Sequence, residues 1–329
     1  MNTSDNFILL LYFHFPEDFR MTFTSSTRSM MVLAVLLAGS TLPAHAQKSA
    51  YSTPKEAYEI GLTFLDNKNL AKAQEALEEA LKLAPDDVLK KKIYRALVRP
   101  YQMQADVDKL VDALEFVIRH PSSPAEKSLA RGSLLSGVQA KGKSKEVTAR
   151  FEDALKKTPD DETVLYILGG IYANLQQDPK RSAIMLEQYL AAFKKTNKDN
   201  VDVDVDTSAQ LAEQYVKAMK FKEGAELFEQ IAPADATRKA WHLKEAAVAW
   251  LKAKEKEKAI AAATASAMVK EERSKQLTHY WHRALGELFL DTGEFKRAVE
   301  QLEKAVQSTD IDGYKKDCQK KLEEARSKQ

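Results

Sequence analysis

Residues 55–87 read KEAYEIGLTFLDNKNLAKAQEALEEALKLAPDD, and the spacing within them decides the fold. Small or apolar residues fall at Ala57, Ile60, Gly61 and Phe64, then at Ala73, Leu77 and Ala80. Intervals of three and four residues are the period of an α-helix. Between the two sets, Asp66-Asn67-Lys68-Asn69 has the composition of a turn, and Pro85 closes the segment. The segment therefore reads helix–turn–helix. Gly61 and Ala73, twelve apart, are small where the helices approach, and Phe64 and Leu77 fill the space beside them.

The same step returns down the chain at Val98–Leu110, Leu135–Val147, Gly169–Ser182, Ala212–Gly224, Ala247–Ala259 and Gly286–Ala298, with one extra residue in the Gly169 unit. A larger residue follows the first mark by three each time: Tyr101, Val138, Tyr172, Tyr215, Trp250 and Phe289. Second-helix partners recur as Leu114, Phe151, Leu186, Phe228, Ala263 and Leu302. Successive first marks are 37, 37, 34, 43, 35 and 39 residues apart. A fixed period of this size is the signature of stacked supersecondary units.

On these residues the chain resembles the tetratricopeptide repeat (TPR) family, whose unit carries Gly or Ala, an aromatic, Ala, an aromatic or Leu, Ala and Pro at these offsets. The resemblance covers residues 53–307 and is loosest in the second and third units, where Val98 and Leu135 take the Gly or Ala place. It implies an all-α fold: a right-handed α-α superhelix of about seven helix–turn–helix repeats. Residues 47–198 hold repeats one to four and 207–307 hold repeats five to seven, with 199–206 an acidic loop between them. Residues 308–329 form a capping helix, with Tyr314, Cys318, Leu322 and Ala325 on one stripe; a solenoid needs such an end unit with a polar outer face. Pro100 falls inside a first helix, which is expected to kink or stop early there.

Residues 1–46 read as an export region. The apolar stretch 30–42 follows Arg28 and ends in Ala44-His45-Ala46, a small-residue cleavage pattern. It is shorter than the ~20 residues that span a bilayer, so the mature chain is expected to carry no integral membrane span. Glu17 and Asp18 do not suit a signal's leading region, which makes Met21 the better start. Cleavage after Ala46 and a periplasmic or secreted location are the expectation.

The composition excludes more than it names. With 50 Lys+Arg against 48 Asp+Glu there is no global field that attracts nucleic acid. A single cysteine rules out an intrachain disulfide framework and any multi-cysteine metal site. Gly142-Lys143-Ser144 lacks the earlier glycine of a phosphate-cradling loop, and no G-x-S-x-G occurs. Neither catalysis nor a cofactor is expected. His279 and His282 are spaced for a metal but lack a third ligand, so His282 is expected between helices and His279 in solvent. In 200–206, NVDVDVD, the carboxylates counted from Asp202, with Glu213 at position 12, imitate a calcium loop. The glycine required at position 6 is Thr207, so a loop ending in a Thr207/Gln210 capping box is the simpler expectation.

First-helix side chains line the concave surface of TPR proteins, a face that holds partner peptides. By resemblance this chain is a non-enzymatic scaffold for protein or peptide partners in the cell envelope; a ligand-, glycan- or ion-binding repeat protein is the alternative. The register puts Tyr58, Arg95, Arg99, Gln102, Tyr166, Asn174, Trp241, Lys244 and Arg283 on that face. Arg95 and Arg99, one helical turn apart, with Tyr58 and Tyr166, are expected to grip an acidic, aromatic-containing segment.

Overall fold

The structure is a computed structural model that describes residues 50–104, 106–197, 204–270 and 273–329. The export region, and Asp202 of the calcium-like pattern, lie outside the described residues. Residues from Tyr51 to Gln329 form one compact unit. Its pairs run α1 (Pro54–Asp66) with α2 (Leu70–Lys82), α3 (Asp87–Gln104) with α4 (Val107–Arg119), and α5 (Pro124–Ala140) with α6 (Ser144–Lys157). They continue as α7 (Glu162–Asn174) with α8 (Pro179–Thr196), and α9 (Val205–Lys217) with α10 (Phe221–Ile231). The last pairs are α11 (Lys239–Lys252) with α12 (Lys256–Met268), and α13 (Lys275–Asp291) with α14 (Phe295–Gln307), followed by α15 (Asp312–Ser327). Each helix packs on the next in chain order, and first helices touch the first helix of the next pair, as α5 on α7 and α11 on α13. The described residues contain no strand, and none of their helices is long and apolar enough to cross a membrane. The chain is an all-α solenoid of helix pairs.

The recurring marks have a direct physical meaning. A Cβ on Gly61 would lie 2.7 Å from Leu77, one on Gly169 2.6 Å from Leu186, and one on Gly286 2.6 Å from Leu302. The first-helix glycine thus receives the leucine of the second helix. Leu77, Leu114, Phe151, Leu186, Phe228, Ala263 and Leu302 are all buried, worth roughly 1.5–3 kcal/mol for each large apolar side chain. The second small marks also sit at the contact, and the Ser182 hydroxyl donates to the Gly169 carbonyl at 2.8 Å.

The turn between paired helices is closed by the backbone. The amide of Asn69 donates to Phe64 O at 2.8 Å, Lys220 to Tyr215 O at 2.8 Å, Glu255 to Trp250 O at 3.0 Å, and Glu294 to Phe289 O at 2.8 Å. Just before each donor stands a residue in the left-handed region: Lys68, Met219, Lys254 and Gly293. This is a Schellman closure. Only Gly142 and Gly293 use glycine for it, and the others adopt positive φ at roughly 1–2 kcal/mol apiece.

Several expectations are corrected. Of the two outcomes expected at Pro100, the early stop does not occur, since α3 runs through it to Gln104. With Leu135 in the glycine place, α5 and α6 meet little; α5 lies along α4, where a Cβ on Gly137 would come 2.7 Å from Leu110. The helix α9 begins at Val205, and its N-cap is Asp204, whose carboxylate accepts from the Thr207 amide at 2.9 Å. Thr207 is buried inside the helix and is not the cap, because Asp204 already supplies the acceptor that the first turn needs. His279 is fully buried, not solvent-facing, with Nδ1 2.9 Å from Ala305 O. Cys318 is buried in α15 as expected. The buried apolar residues fall into one cluster over Ala57–Ala192 and another over Ala209–Ala325, joined by a small group at Ala183, Leu186 and Leu211.

Gly286→Ala should lower stability, because overpacking costs about 1–3 kcal/mol and outweighs the ~1 kcal/mol of helix propensity gained. In a Leu302→Ala background the same substitution should stabilise. Thermal melts of the two pairs check the sign reversal, which fails if Gly286 does not face Leu302.

Candidate concave binding face

The first helices α5, α7, α9, α11 and α13 line two clefts that meet at Glu213. One, of about 430 Å³, is walled by Arg131, Ser136, Asn174, Gln210, Gln214 and Lys217. The other, of about 630 Å³, is walled by Arg238, Trp241, Lys244, Leu277, Tyr280 and Trp281. A third hollow of about 580 Å³ lies at the N-terminal ends of α5, α9 and α11, between Lys127, Phe193, Asp204, Asp235 and Arg238.

Several residues expected on this face serve the seam between repeats. Arg95 makes a bidentate ion pair with Glu126 of α5, at 2.6 and 2.9 Å, and also donates to His120 O at 2.9 Å. Arg283 pairs with Glu287 at 2.9 Å and with Asp317 of α15 at 2.7 Å. Tyr166 is buried under Arg131, whose guanidinium carbon stands 3.7 Å from the ring centroid. These three share a place in the register, three residues before the mark, and that place points at the neighbouring first helix. Tyr58 shares it and is half-buried, its hydroxyl pKa raised by burial. Lys244 shares it too, pairs with Glu245, and borders the larger cleft.

The Arg99 and Gln102 side chains are exposed and make no ion pair or hydrogen bond with other described residues. Asn174 is exposed at the smaller cleft and donates to Gly170 O at 2.9 Å. Trp241 is half-buried in the larger one, edge-on to Phe228 at 5.7 Å. The structure thus brings Trp241 and Lys244 together and leaves Arg95 and Arg99 apart in role, one paired and one open.

The clefts also expose residues that the register reading passed over. Tyr280 stands six residues before Gly286 as Trp241 stands six before Ala247, and that repetition was the available signal. Trp281 is covered on one face by the Arg273 guanidinium at 4.0 Å, and its indole Nε1 is buried without a hydrogen-bond partner among the described residues. Leu277 is 60 % exposed at the same cleft. Glu213 has its carboxyl pKa raised by burial, with Lys217 opposing and Glu245 adding. In the hollow, Asp204 accepts from Tyr189 at 2.6 Å and Asp206 pairs with Arg238, so these members of the calcium-like pattern have protein partners. His282 contacts Gln301 at 2.8 Å, and no group of three potential metal ligands occurs among the described residues.

With this geometry in view, comparison with known proteins is informative for one segment. The family model for the tetratricopeptide repeat matches residues 57–87, which are the first helix pair and its closing loop. That segment is similar to a tetratricopeptide repeat, and the Gly–Leu contact and the backbone turn closure found in it recur in later pairs. No curated protein matches the chain. Among solved structures, a tetratricopeptide repeat protein from Parabacteroides merdae is similar at 17% identity, over 83% of this chain and 98% of that one, with a TM-score of 0.38. BtubC from P. vanneervenii is similar at 16% identity, over 62% and 90% of the two chains, with a TM-score of 0.42. The apo form of RapI is similar at 13% identity, over 82% and 99%, with a TM-score of 0.36.

The Arg95–Glu126 pair has a pH signature. Hydrogen bonds from Arg95, and from the Ser122 amide and hydroxyl, hold the Glu126 carboxyl at about 2, well below its ordinary value near 4.5. A folded-state pKa below the unfolded one stabilises above the unfolded value, and that contribution is lost as pH falls through the folded value. Glu126→Gln should therefore melt lower than the parent at pH 7, and the two melting temperatures should converge between about pH 4.5 and 2. A constant difference across that range would place the effect elsewhere.

Proposed function

We propose that the protein is a non-enzymatic interaction scaffold of the cell envelope, holding a partner segment along its first-helix face. The observation that carries this reading is the cleft at Trp241, Leu277, Tyr280 and Trp281. Exposed Leu277 and Tyr280 and half-buried Trp241 and Trp281 are gathered in one concavity, a composition that marks interaction sites, and Trp, Tyr and Arg dominate binding energy at interfaces. The buried indole N–H of Trp281 awaits an acceptor, such as a backbone carbonyl of a bound segment. The match of residues 57–87 to the tetratricopeptide repeat supports a partner-binding role, since that repeat commonly serves as a protein-binding module. The envelope location rests on the Arg28–Ala46 pattern alone.

Trp241→Ala and Trp281→Ala, each with helicity unchanged by circular dichroism, should reduce partner recovery from a periplasmic extract. A hot-spot loss of about 2 kcal/mol corresponds to at least tenfold weaker binding. Equal recovery by parent and both variants would move the site away from this cleft. N-terminal sequencing of the native protein should begin at Gln47 or within a few residues, and an intact Met1 or Met21 would contradict the envelope assignment.

A further inference from the structure

The smaller cleft has a chemistry of its own. Its walls are polar: Ser128, Arg131, Gln210, Glu213, Gln214 and Lys217 face it. Arg131 is 6 % exposed, yet its guanidinium takes part in no ion pair among the described residues. Its acceptors are both uncharged, the Tyr166 carbonyl at 3.3 Å and the Gln210 amide oxygen. Asp204 and Asp206 act on it only at longer range, and burial lowers its pKa. The Tyr166 ring lies against the guanidinium at 3.7 Å, but no carboxylate bonds to it among the described residues, and a buried cation is most stable when paired with a counter-charge.

Two neighbours are in a complementary position. Gln214 is 4 % exposed, lines the cleft, and its amide oxygen is buried without a partner. The half-buried Glu213 carboxylate makes no hydrogen bond with other described residues, and Lys217, one turn along the helix, is the only cation among the charges acting on it. One wall therefore offers unpaired positive charge, another offers negative charge, and a buried amide oxygen seeks a donor.

A plain anion would satisfy Arg131 but leave the half-buried Glu213 carboxylate without a donor and with Lys217 as its only counter-charge. A plain cation would do the reverse, and an uncharged glycan would leave both charges unmatched. We propose that this pocket binds a small zwitterion of the free amino acid type, its carboxylate on Arg131 and its ammonium on Glu213, with the Gln214 amide oxygen accepting a further ammonium N–H. A volume of about 430 Å³ suits a molecule of that size. Charge-assisted bonds at both ends supply the recognition. This site is separate in its ligand from the tryptophan cleft and does not depend on the scaffold reading.

The test is calorimetric titration of the full chain with each standard L-amino acid, one at a time. For every binder, the same-skeleton acid lacking the amine and the amine lacking the carboxylate are titrated as well. At least one amino acid should bind with a Kd of about 100 μM or tighter, a strength ordinary for a site with two charge-assisted contacts. Removing either group should weaken binding at least tenfold, a loss of about 1.4 kcal/mol or more. Glu213→Gln, a neutral isostere that relieves a desolvated charge and so keeps the fold, should weaken it by a similar factor. Arg131→Gln should abolish binding if it folds, and Glu213→Gln decides the matter if it does not. The proposal is overturned if no amino acid binds, if the acid lacking the amine binds as tightly as its parent, or if Glu213→Gln binds like wild type.

Discussion

The close approach of paired helices is the constraint on which everything else rests. A first helix lies closest against its second where the contact residue is small enough to receive the large side chain opposite it. Gly61, Gly169 and Gly286 each receive a leucine branch at 2.6–2.7 Å from where a Cβ would be. With that distance set, the turn must close in a few residues, and it does so by a backbone bond from the amide after a left-handed residue to the carbonyl of the large residue three past the mark. The twelve-residue step is the length of chain this closure needs. Side-chain packing and backbone geometry thus enforce the same period, which is why it survives wide changes in residue identity.

Where the constraint is released, the packing changes. Leu135 stands in the glycine place of α5, which meets α6 little and lies instead along α4 through Gly137 and against α7 through Gly170, whose Cβ would lie 3.0 Å from Arg131. That second approach stacks the Arg131 guanidinium on Tyr166 and makes the polar cleft beside α9. The irregular third pair, one of the two loosest by sequence pattern, is the one that holds an unusual buried charge. The last pairs keep the regular geometry, and their first helices instead present two tryptophans and a tyrosine along a larger cleft.

Most of the architecture was legible because it follows from spacing: the helix pairs, their small and large contact residues, and the capping helix with Cys318 inside. The turn chemistry was not, since Lys68, Met219 and Lys254 have no sequence mark of a left-handed backbone. The true cap at Asp204 was hidden among neighbouring aspartates that alternate with valine. His279 reads as polar and is buried, because the Ala305 carbonyl takes its ring nitrogen. The candidate face was legible only in part. Register identifies the first-helix surface, but one turn of that surface faces the groove and the next faces the adjoining repeat. Arg95, Tyr166 and Arg283 fall on the seam, and only partners distant in sequence, Glu126, Arg131 and Asp317, reveal it.

The central claim is that the groove of first helices, and not the outer surface of second helices, is where a partner lies. A photo-reactive benzoylphenylalanine placed at Leu277, exposed in the groove, or at Ile184, exposed on the second helix α8, reads this out directly on irradiation with the partner present. The account predicts a covalent adduct from position 277 and none from position 184. An adduct from 184 alone, or equal adducts from both, would contradict it.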